Sequence, residues 1–264
     1  MVVFVTLHCS KLCENRPGCA ISLTTDTFSH MSDDLKTVIA ALVAGAPRPE
    51  VAALLAPPDE WAVSLETAQL LFGLIVHLAP ESVLEFGAGR SSLVLASALQ
   101  ACGGGRLTSI EHQPSYAEQS WRRMTAFSAV DSHLAHARLD VRFSKNGLLH
   151  EYVGVDHALR SRGPFDLVFI DAPPGERGRD GTLFQAATFL RDGAVVILDD
   201  ATRPREQTAM RRWARALNIE CIFESHTLGR GVAVLRVVRS AAPGFAWRTF
   251  VGTIHDRVVE YKFR

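Results

Sequence analysis

The feature that most constrains this chain is a short apolar run at residues 83–86, which breaks into the turn Gly87-Ala88-Gly89 and continues as a helical pattern. A second apolar run ends in an acid, Glu111. This order is typical of a parallel sheet that holds an adenosine cofactor at the carboxyl ends of its strands. Glycine removes the side chain between backbone and ligand, and a terminal carboxylate accepts hydrogen bonds from ribose hydroxyls. The pattern predicts an α/β protein that binds an adenosine cofactor.

Two positions discriminate between adenosine cofactors. A nicotinamide fingerprint has a third glycine where this chain has Ser92. Glu85, two residues before the first glycine, would repel a pyrophosphate but can hold an ammonium group. The pattern favours S-adenosyl-L-methionine, which carries an ammonium group, over NAD. A purely structural glycine turn is the remaining alternative.

The composition argues for a small-molecule partner. The 264 residues include 28 basic and 28 acidic ones, so no overall field draws the chain to nucleic acid or to an anionic membrane. Residues 2–7 are too short an apolar run for a signal peptide, and no apolar stretch approaches the roughly 18 residues of a membrane span. Five scattered cysteines fit neither a disulfide framework nor a zinc site. We expect a cytoplasmic protein without nucleic-acid or membrane partners, and a homodimer is left open.

The chain divides into four predicted segments. Residues 1–30 lack periodicity and are expected to be a disordered leader, with Met31 as an alternative start of translation. Residues 31–80 form a helical cap: two short helices within residues 34–55, then a helix over 65–78 with Ser64 as its N-cap. Residues 81–240 form the cofactor-binding domain, and residues 241–264 an extension that packs on the rest.

Within residues 81–240, apolar strands and amphipathic helices alternate, which predicts a doubly wound, Rossmann-like sheet of seven strands, mostly parallel. Residues 225–230 are too few for a helical crossover, so the last strand is predicted to turn back and lie antiparallel. The predicted strands are 83–86, 106–111, 137–143, 165–170, 194–199, 219–225 and 231–238. The predicted helices are 91–101, 114–127, one near 148–160, 181–190 and 204–217.

Taken together, the glycine turn, Glu111, the run FDLVFIDAPPG from Phe165 and the closing hairpin resemble the class I S-adenosylmethionine-dependent methyltransferases. The segments VLEFGAGRSS, FDLVFIDAPPG and GAVVILDDATRP are most similar to a bacterial small-molecule branch related to the catechol O-methyltransferase group. The resemblance covers about residues 60–240. It implies an enzyme that transfers a methyl group to a small molecule, at oxygen.

The resemblance also implies which residues hold the cofactor. His112 would lie at the adenine edge, with help from residues 144–146 after the third strand, and Glu111 would hold the ribose. Asp171 would line the cofactor pocket. The methionine part would be surrounded by Glu85, Phe86, Gly87, Ala88, Gly89, Ser91 and Ser92.

Three carboxylates at neighbouring strand ends, those of Asp171, Asp199 and Asp200, are expected to converge. Like charges so close repel unless a cation lies among them. The resemblance implies Mg²⁺ at these three residues, and carboxylate oxygens suit that ion. The alternative is that Asp171 lines the cofactor pocket while Asp199 or Asp200 caps the next helix.

The sequence offers two candidates for the general base. The catechol enzymes place a lysine three residues after the first aspartate, where this chain has Pro174. Asp199 is the first candidate base and His226, in the hairpin before the last strand, is the second. Arg203 is expected to neutralise the neighbouring acid pair, and the alternative is that it pairs with a carboxylate or phosphate of the substrate. Two rivals stay open, an NAD-dependent oxidoreductase and a non-catalytic S-adenosylmethionine-binding protein.

Overall fold

The computed structural model describes residues 25–57, 61–174 and 177–262. Residues 1–24, on which most of the predicted leader falls, lie outside the described residues, and the first helix begins at Thr25, before Met31. The main elements are α1 (Thr25–Ala44), α2 (Pro49–Leu55), α3 (Leu65–Leu78), β1 (Ser82–Phe86), α4 (Arg90–Ala101), β2 (Gly105–Glu111), α5 (Pro114–Arg123), β3 (Val130–His136), β4 (Leu139–Ser144), β5 (Gly147–Tyr152), α6 (Asp156–Arg162), β6 (Phe165–Ile170), α7 (Asp180–Ala186), β7 (Leu190–Asp199), α8 (Pro204–Ala216), β8 (Asn218–Ser225), β9 (Val232–Arg239) and α9 (Trp247–Lys262).

The predicted seven-stranded sheet is confirmed, with the spatial order β3-β2-β1-β6-β7-β9-β8. Neighbouring strands from β3 to β7 are parallel. Strand β9 runs antiparallel to both of its neighbours, β7 and β8, as the short connection at residues 225–230 predicts. The parallel strands therefore present their carboxyl ends along one edge, where ligands bind in sheets of this kind.

Apolar side chains cover both faces of the sheet, which explains why its central strands are nearly continuous apolar runs. In β1, Val83 belongs to the buried cluster that includes helices α3 and α4. Leu84 and Phe86 belong to the cluster on the opposite face, which includes Trp213 of α8. One charged residue of β1 is also fully buried, Glu85.

The N-terminal helices follow the prediction for residues 34–78. Ser64 caps α3, because its hydroxyl oxygen accepts from the Thr67 N–H at 3.1 Å. Leu35 and Ile39 of α1 are buried in the core that also contains α3. No single described helix has the length and apolar composition of a membrane span; residues 33–44 and α2 pass that test only when counted together across a bend of 78°.

The prediction for residues 128–160 was wrong. The third sheet strand is β3, not residues 137–143, and the expected helix near 148–160 is strand β5 followed by the shorter α6. Strands β4 and β5 form a separate antiparallel hairpin, closed by Lys145-Asn146 and by Gly147 at a φ of +102°. Strand β3 lies at the edge of the sheet with mostly solvent-facing side chains, so it lacks the apolar run that marks the other strands. Asn-Gly was the available signal for the hairpin.

Helix α9 packs on this hairpin, in agreement with the expectation that the C-terminal segment contacts the rest of the chain. Thr253 Oγ1 donates to the Asn146 carbonyl oxygen at 3.0 Å and accepts from the Leu148 N–H at 3.2 Å. Arg212 of α8 bridges Asp180 and Asp256 at 2.5 and 2.9 Å. These contacts join α9 to the hairpin and to the helices behind the sheet.

We predict that Gly147→Ala detaches α9 from the hairpin. An added Cβ would overlap Thr253 Oγ1 and lie 2.8 Å from the Phe250 carbonyl oxygen, at a φ of +102°. Overpacking and the left-handed backbone together should lower the unfolding free energy by about 2–4 kcal/mol in denaturant titrations. Gly103→Ala is the control, since Gly103 has a φ of +95° but open space around its Cβ. Equal losses in the two variants would contradict the close approach of α9.

Candidate functional site

The carboxyl ends of β1, β2, β6 and β7 surround a cavity of about 740 Å³, within the usual range of roughly 300–1,000 Å³ for small-molecule sites. The glycine turn forms one wall, and Glu111 and Asp171 lie at the neighbouring strand ends. Trp61 and Tyr116 both line the cavity, and their ring centroids are 6.4 Å apart. The structure thus brings together the glycine turn and Glu111, the two sequence features that predicted a cofactor site.

The two glycines of the turn serve different purposes. Gly87 has a φ of +100°, and a Cβ there would lie 2.7 Å from the Cβ of Ala172, so the backbone itself requires glycine. Gly89 has an extended φ of −174°, and no atom lies within 4 Å of the position of its missing Cβ. Because Gly89 lines the cavity, its lack of a side chain leaves room there for a ligand.

Glu85 is buried beneath the start of α4 and is not among the described residues that line the cavity. Its carboxylate accepts hydrogen bonds from the hydroxyls of Ser91, Ser92 and Ser109 at 2.6, 2.6 and 2.5 Å. Burial raises the pKa of Glu85 to about 7, although the three hydroxyls oppose that rise. Ser92 also accepts from the Gly89 N–H at 3.1 Å, so Glu85 holds the turn through this serine.

Of the other residues predicted to hold the methionine part, Ala88 and Ser91 line the cavity. Phe86 and Ser92 are fully buried and are not among the described lining residues. Phe86 contributes its backbone, since its carbonyl oxygen accepts from the N–H groups of Asp171 and Ala172 at 2.9 and 3.0 Å. That contact sets Asp171 directly beside the glycine turn.

Glu111 and His112 line the cavity together at the end of β2. Glu111 Oε1 accepts from the backbone N–H groups of His112 and Gln113, each at 2.6 Å, and lies 2.8 Å from His112 Nδ1. The carboxylate is therefore held by the backbone of the strand end. Residues 144–146, which were expected near the adenine, lie instead in the hairpin turn that contacts α9. His136 at the end of β3 and the next residue, Ala137, line a smaller cavity of about 370 Å³ that shares His112.

Asp171, Asp199 and Asp200 converge as predicted, and one carboxylate oxygen of each lies within 4.8 Å of the others. Asp199 Oδ1 accepts from the Thr67 hydroxyl at 3.2 Å, and its Oδ2 has no hydrogen-bond partner among the described residues. Burial raises the pKa of Asp171 well above its usual range, with the Asp199 charge as the next cause. Burial also raises the pKa of Asp199, and Asp200 adds to it.

A buried arginine that the sequence analysis missed joins this cluster. Arg179 precedes α7, and its Nη2 lies 3.1 Å from Asp171 Oδ1 and 2.8 Å from Asp200 Oδ2. Two further guanidinium groups contact Asp200: Arg203 Nη1 at 2.9 Å, as the sequence predicts, and Arg230 Nε at 2.9 Å. The carboxylates therefore have positive partners supplied by the chain itself. Arg179 lies in a stretch of sequence without helical or strand periodicity. Its position directly before a helix was the only sequence signal that pointed to this residue.

His226 is not brought to the site. Its imidazole is 66% exposed, lies 3.2 Å from Glu224 Oε1 and is not among the described residues that line the cavity. The connection that carries it joins β8 to β9, and from that connection Arg230, not His226, is among the described residues that line the cavity. The geometry gives the second candidate base no contact with a ligand in the cavity.

Comparisons with known proteins agree with the resemblance in the sequence. A family model described as a methyltransferase domain matches residues 84–201. Catechol O-methyltransferase B of Danio rerio is 27% identical over 174 residues, which cover 63% of this chain and 61% of that protein. Catechol O-methyltransferase of Niastella koreensis is 31% identical over 144 residues, 50% of this chain and 59% of that protein. The chain thus spans about three fifths of the length of these relatives.

Solved structures agree in fold. The O-methyltransferase from Bacillus cereus, in complex with SAH, aligns with a TM-score of 0.52 at 19% identity and covers 77% of this chain and 97% of that one. A methyltransferase from Geobacter sulfurreducens aligns with the same TM-score at 17% identity, over 80% of this chain and 97% of that one. These structures share the architecture of the sheet and its helices.

We predict that Glu85→Gln removes a pH dependence of stability. Glu85 keeps its proton up to about pH 7 in the folded chain but loses it near pH 4.5 when unfolded. Wild-type stability relative to the variant should therefore fall by roughly 3 kcal/mol between those pH values and stay level above them. Denaturant titrations of both proteins across this range measure the difference. Glu118→Gln, at an exposed site, should show no such slope; a wild-type advantage that grows with pH would contradict the prediction.

Proposed function

We propose that this chain is a member of the class I S-adenosylmethionine-dependent methyltransferases related to the catechol O-methyltransferase group, and that it transfers the methyl group of S-adenosylmethionine to an oxygen atom of a small molecule. The observation that carries the proposal is the meeting of the glycine turn, Glu111 and Asp171 around one cavity of about 740 Å³. A cofactor stretched between Glu111 and the turn would have its sulfonium methyl near Asp171 and the remaining space beside it.

The cofactor contacts follow from the polar groups on the cavity wall. Glu111 Oε1 is engaged by backbone N–H groups, which leaves Oε2 to accept from ribose hydroxyls. Gly89 and Ser91 stand at the N-terminus of α4, where a carboxylate such as that of the methionine part is stabilised. Glu85 is not among the described residues that line the cavity and is already bonded to three serines, so we assign it no contact with the ammonium group. His112 and Tyr116 are the side chains available to the adenine.

Methyl transfer to oxygen requires that the acceptor lose a proton as the new O–C bond forms and the C–S bond breaks. Asp171 is the carboxylate that lines the cavity beside the turn, and its pKa is raised well above its usual range by burial and by Asp199. A carboxylate with a raised pKa accepts a proton more readily near neutral pH. We therefore propose Asp171 as the base, with Asp199, the first candidate from the sequence, raising its proton affinity. S-adenosylhomocysteine is the leaving product.

Magnesium stays a prediction from the resemblance. If present, it would be held by Asp171, Asp199 and Asp200 and would lower the pKa of an acceptor hydroxyl. Carboxylate oxygens are suitable ligands for Mg²⁺, but Arg179 Nη2 lies between the carboxylates of Asp171 and Asp200. The residues as they are arranged do not fit a divalent cation, and no step of the proposed transfer depends on one.

We predict that Gly89→Ala folds normally but binds S-adenosylhomocysteine at least about tenfold more weakly. The new methyl group would enter open space on the cavity wall, at a backbone conformation that any residue adopts. Calorimetry measures the affinity and thermal unfolding measures the stability. Gly244→Ala, outside the described cavity lining, is the control and should retain full affinity. Unchanged affinity in Gly89→Ala, or a stronger response of the wild type to NAD, would contradict the cofactor assignment.

We predict that Asp171→Asn slows methyl transfer by about 10²–10⁴-fold, because an amide cannot accept the acceptor's proton. The assay follows a labelled methyl group from S-adenosylmethionine into a panel of phenols, sugars and carboxylic acids. Asp131→Asn, whose side chain is 63% exposed at the surface, should leave the rate unchanged. Cofactor binding without transfer to any acceptor would favour the non-catalytic alternative, and equal rates in Asp171→Asn and wild type would exclude Asp171 as the base.

A further inference from the structure

We propose that Arg179 takes the place of a divalent cation at the meeting point of Asp171 and Asp200, so that this site works without a metal ion. The proposal rests on the methyl transfer proposed above and names the group that positions its carboxylates. Arg179 is then a positioning residue. Its fixed positive charge stands where a bound divalent cation would otherwise hold the carboxylates of Asp171 and Asp200.

The geometry of the guanidinium group supports this role. A single nitrogen, Nη2, donates to Asp171 Oδ1 at 3.1 Å and to Asp200 Oδ2 at 2.8 Å. Nε lies 3.5 Å from Glu206 Oε1. One atom therefore bridges the carboxylates that follow β6 and β7, which is the position a metal ion would need in order to bridge them.

The same guanidinium group ties the two strand ends together through their backbones. Nη1 donates to the Asp199 carbonyl oxygen at 2.6 Å and lies 3.5 Å from that of Ile170. Nε donates to the Pro173 carbonyl oxygen at 3.3 Å. A planar group with five directed donors suits this arrangement, whereas a small ion at the same point would leave the carbonyl oxygens without donors.

Arg179 is a permanent cation in this environment. Its side chain is 2% exposed, and burial alone would lower its pKa, but the carboxylates of Asp171, Asp200 and Glu206 outweigh burial and raise it above its ordinary value. Arginine does not lose its proton in proteins under ordinary conditions. The positive charge is therefore present whatever the ionic composition of the solution.

An incoming divalent cation would meet the positive charge of three guanidinium groups. Arg179 and Arg203 contact Asp200 Oδ2, and Arg230 Nε forms an ion pair with Asp200 Oδ1 at 2.9 Å. Asp199 Oδ1 accepts from Thr67. Four carboxyl groups, those of Asp171, Asp199, Asp200 and Glu206, face the guanidinium groups of Arg179, Arg203 and Arg230.

The segment that supplies Arg179 is also the one that departs from the related enzymes. It follows Asp171 with Ala172, Pro173 and Pro174, where the catechol group has its lysine, and it ends at the start of α7. The loop thus has no cation three residues after Asp171. It places Arg179 eight residues after Asp171 instead, in contact with both Asp171 and Asp200.

The test is a Mn²⁺ titration of the full wild-type chain, followed by the electron paramagnetic resonance signal of free Mn²⁺, with and without S-adenosylhomocysteine. We expect no stoichiometric binding, and methyl transfer that is the same in excess EDTA. One equivalent of bound Mn²⁺ that Asp200→Asn abolishes would overturn the proposal. Calorimetry with S-adenosylhomocysteine on the same sample tests the proposed function separately, because loss of cofactor binding leaves the Mn²⁺ result interpretable.

A second arm assigns the exclusion to Arg179 itself. Arg179→Gln removes the charge and should gain at least about tenfold in Mn²⁺ affinity at a pH where the carboxylates are ionised. Arg191→Gln, a surface arginine paired with Glu81 and Asp166, is the control and should gain nothing. A folded Arg179→Gln protein that binds no more Mn²⁺ than wild type would overturn the assignment. If that variant does not fold, as judged by circular dichroism, the wild-type titration alone decides.

Discussion

Neighbouring parallel strands end at the same edge of the sheet, so acidic residues at those ends are forced into a common buried space. In this chain Asp171, Asp199 and Asp200 meet there, and their mutual repulsion would oppose folding without positive charge among them. Arg179 provides that charge and also binds the backbone carbonyl oxygens of both strand ends. The Phe86 carbonyl oxygen holds the backbone of Asp171 beside the glycine turn, and Arg179 holds its side chain there.

A second buried acid, Glu85, stabilises the wall of the cavity that the glycine turn forms. Glu85 and Ser92 distinguished the cofactor type in the sequence as two separate positions, but in the fold they are hydrogen-bonded to each other at 2.6 Å. Together with Ser109 of β2 and Ser91 of α4, they hold the first turn of the helix against the sheet. The acid therefore shapes the turn rather than touching the ligand, because its carboxyl group is bonded to three hydroxyls and is not among the described groups that line the cavity. Glu85 therefore influences which cofactor binds through the shape of the turn, not through a contact with the cofactor.

Two departures of the structure from the prediction, those at strand β3 and at His226, have different physical origins. Strand β3 was misplaced because an edge strand is solvated and shows little apolar pattern, while the hairpin β4–β5 offered a clearer one. The role of His226 rested on the intrinsic pKa of imidazole, which says nothing about distance, and the fold carries it to the solvent-exposed turn between β8 and β9. Both departures concern segments whose neighbours are distant in the sequence.

The alternation of strands and helices outside residues 128–160, the antiparallel last strand and the gathering of Glu111, Asp171 and the glycine turn at one edge were determined by the sequence alone. They follow from local periodicity, from the short connection at residues 225–230 and from the rule that parallel strands end together. Tertiary structure decided which groups balance the buried charges: three serines for Glu85, and Arg179, Arg203 and Arg230 for the aspartates. The three arginines come from loops and turns without periodicity, and only the packed chain brings their charges within a few ångströms of the aspartates.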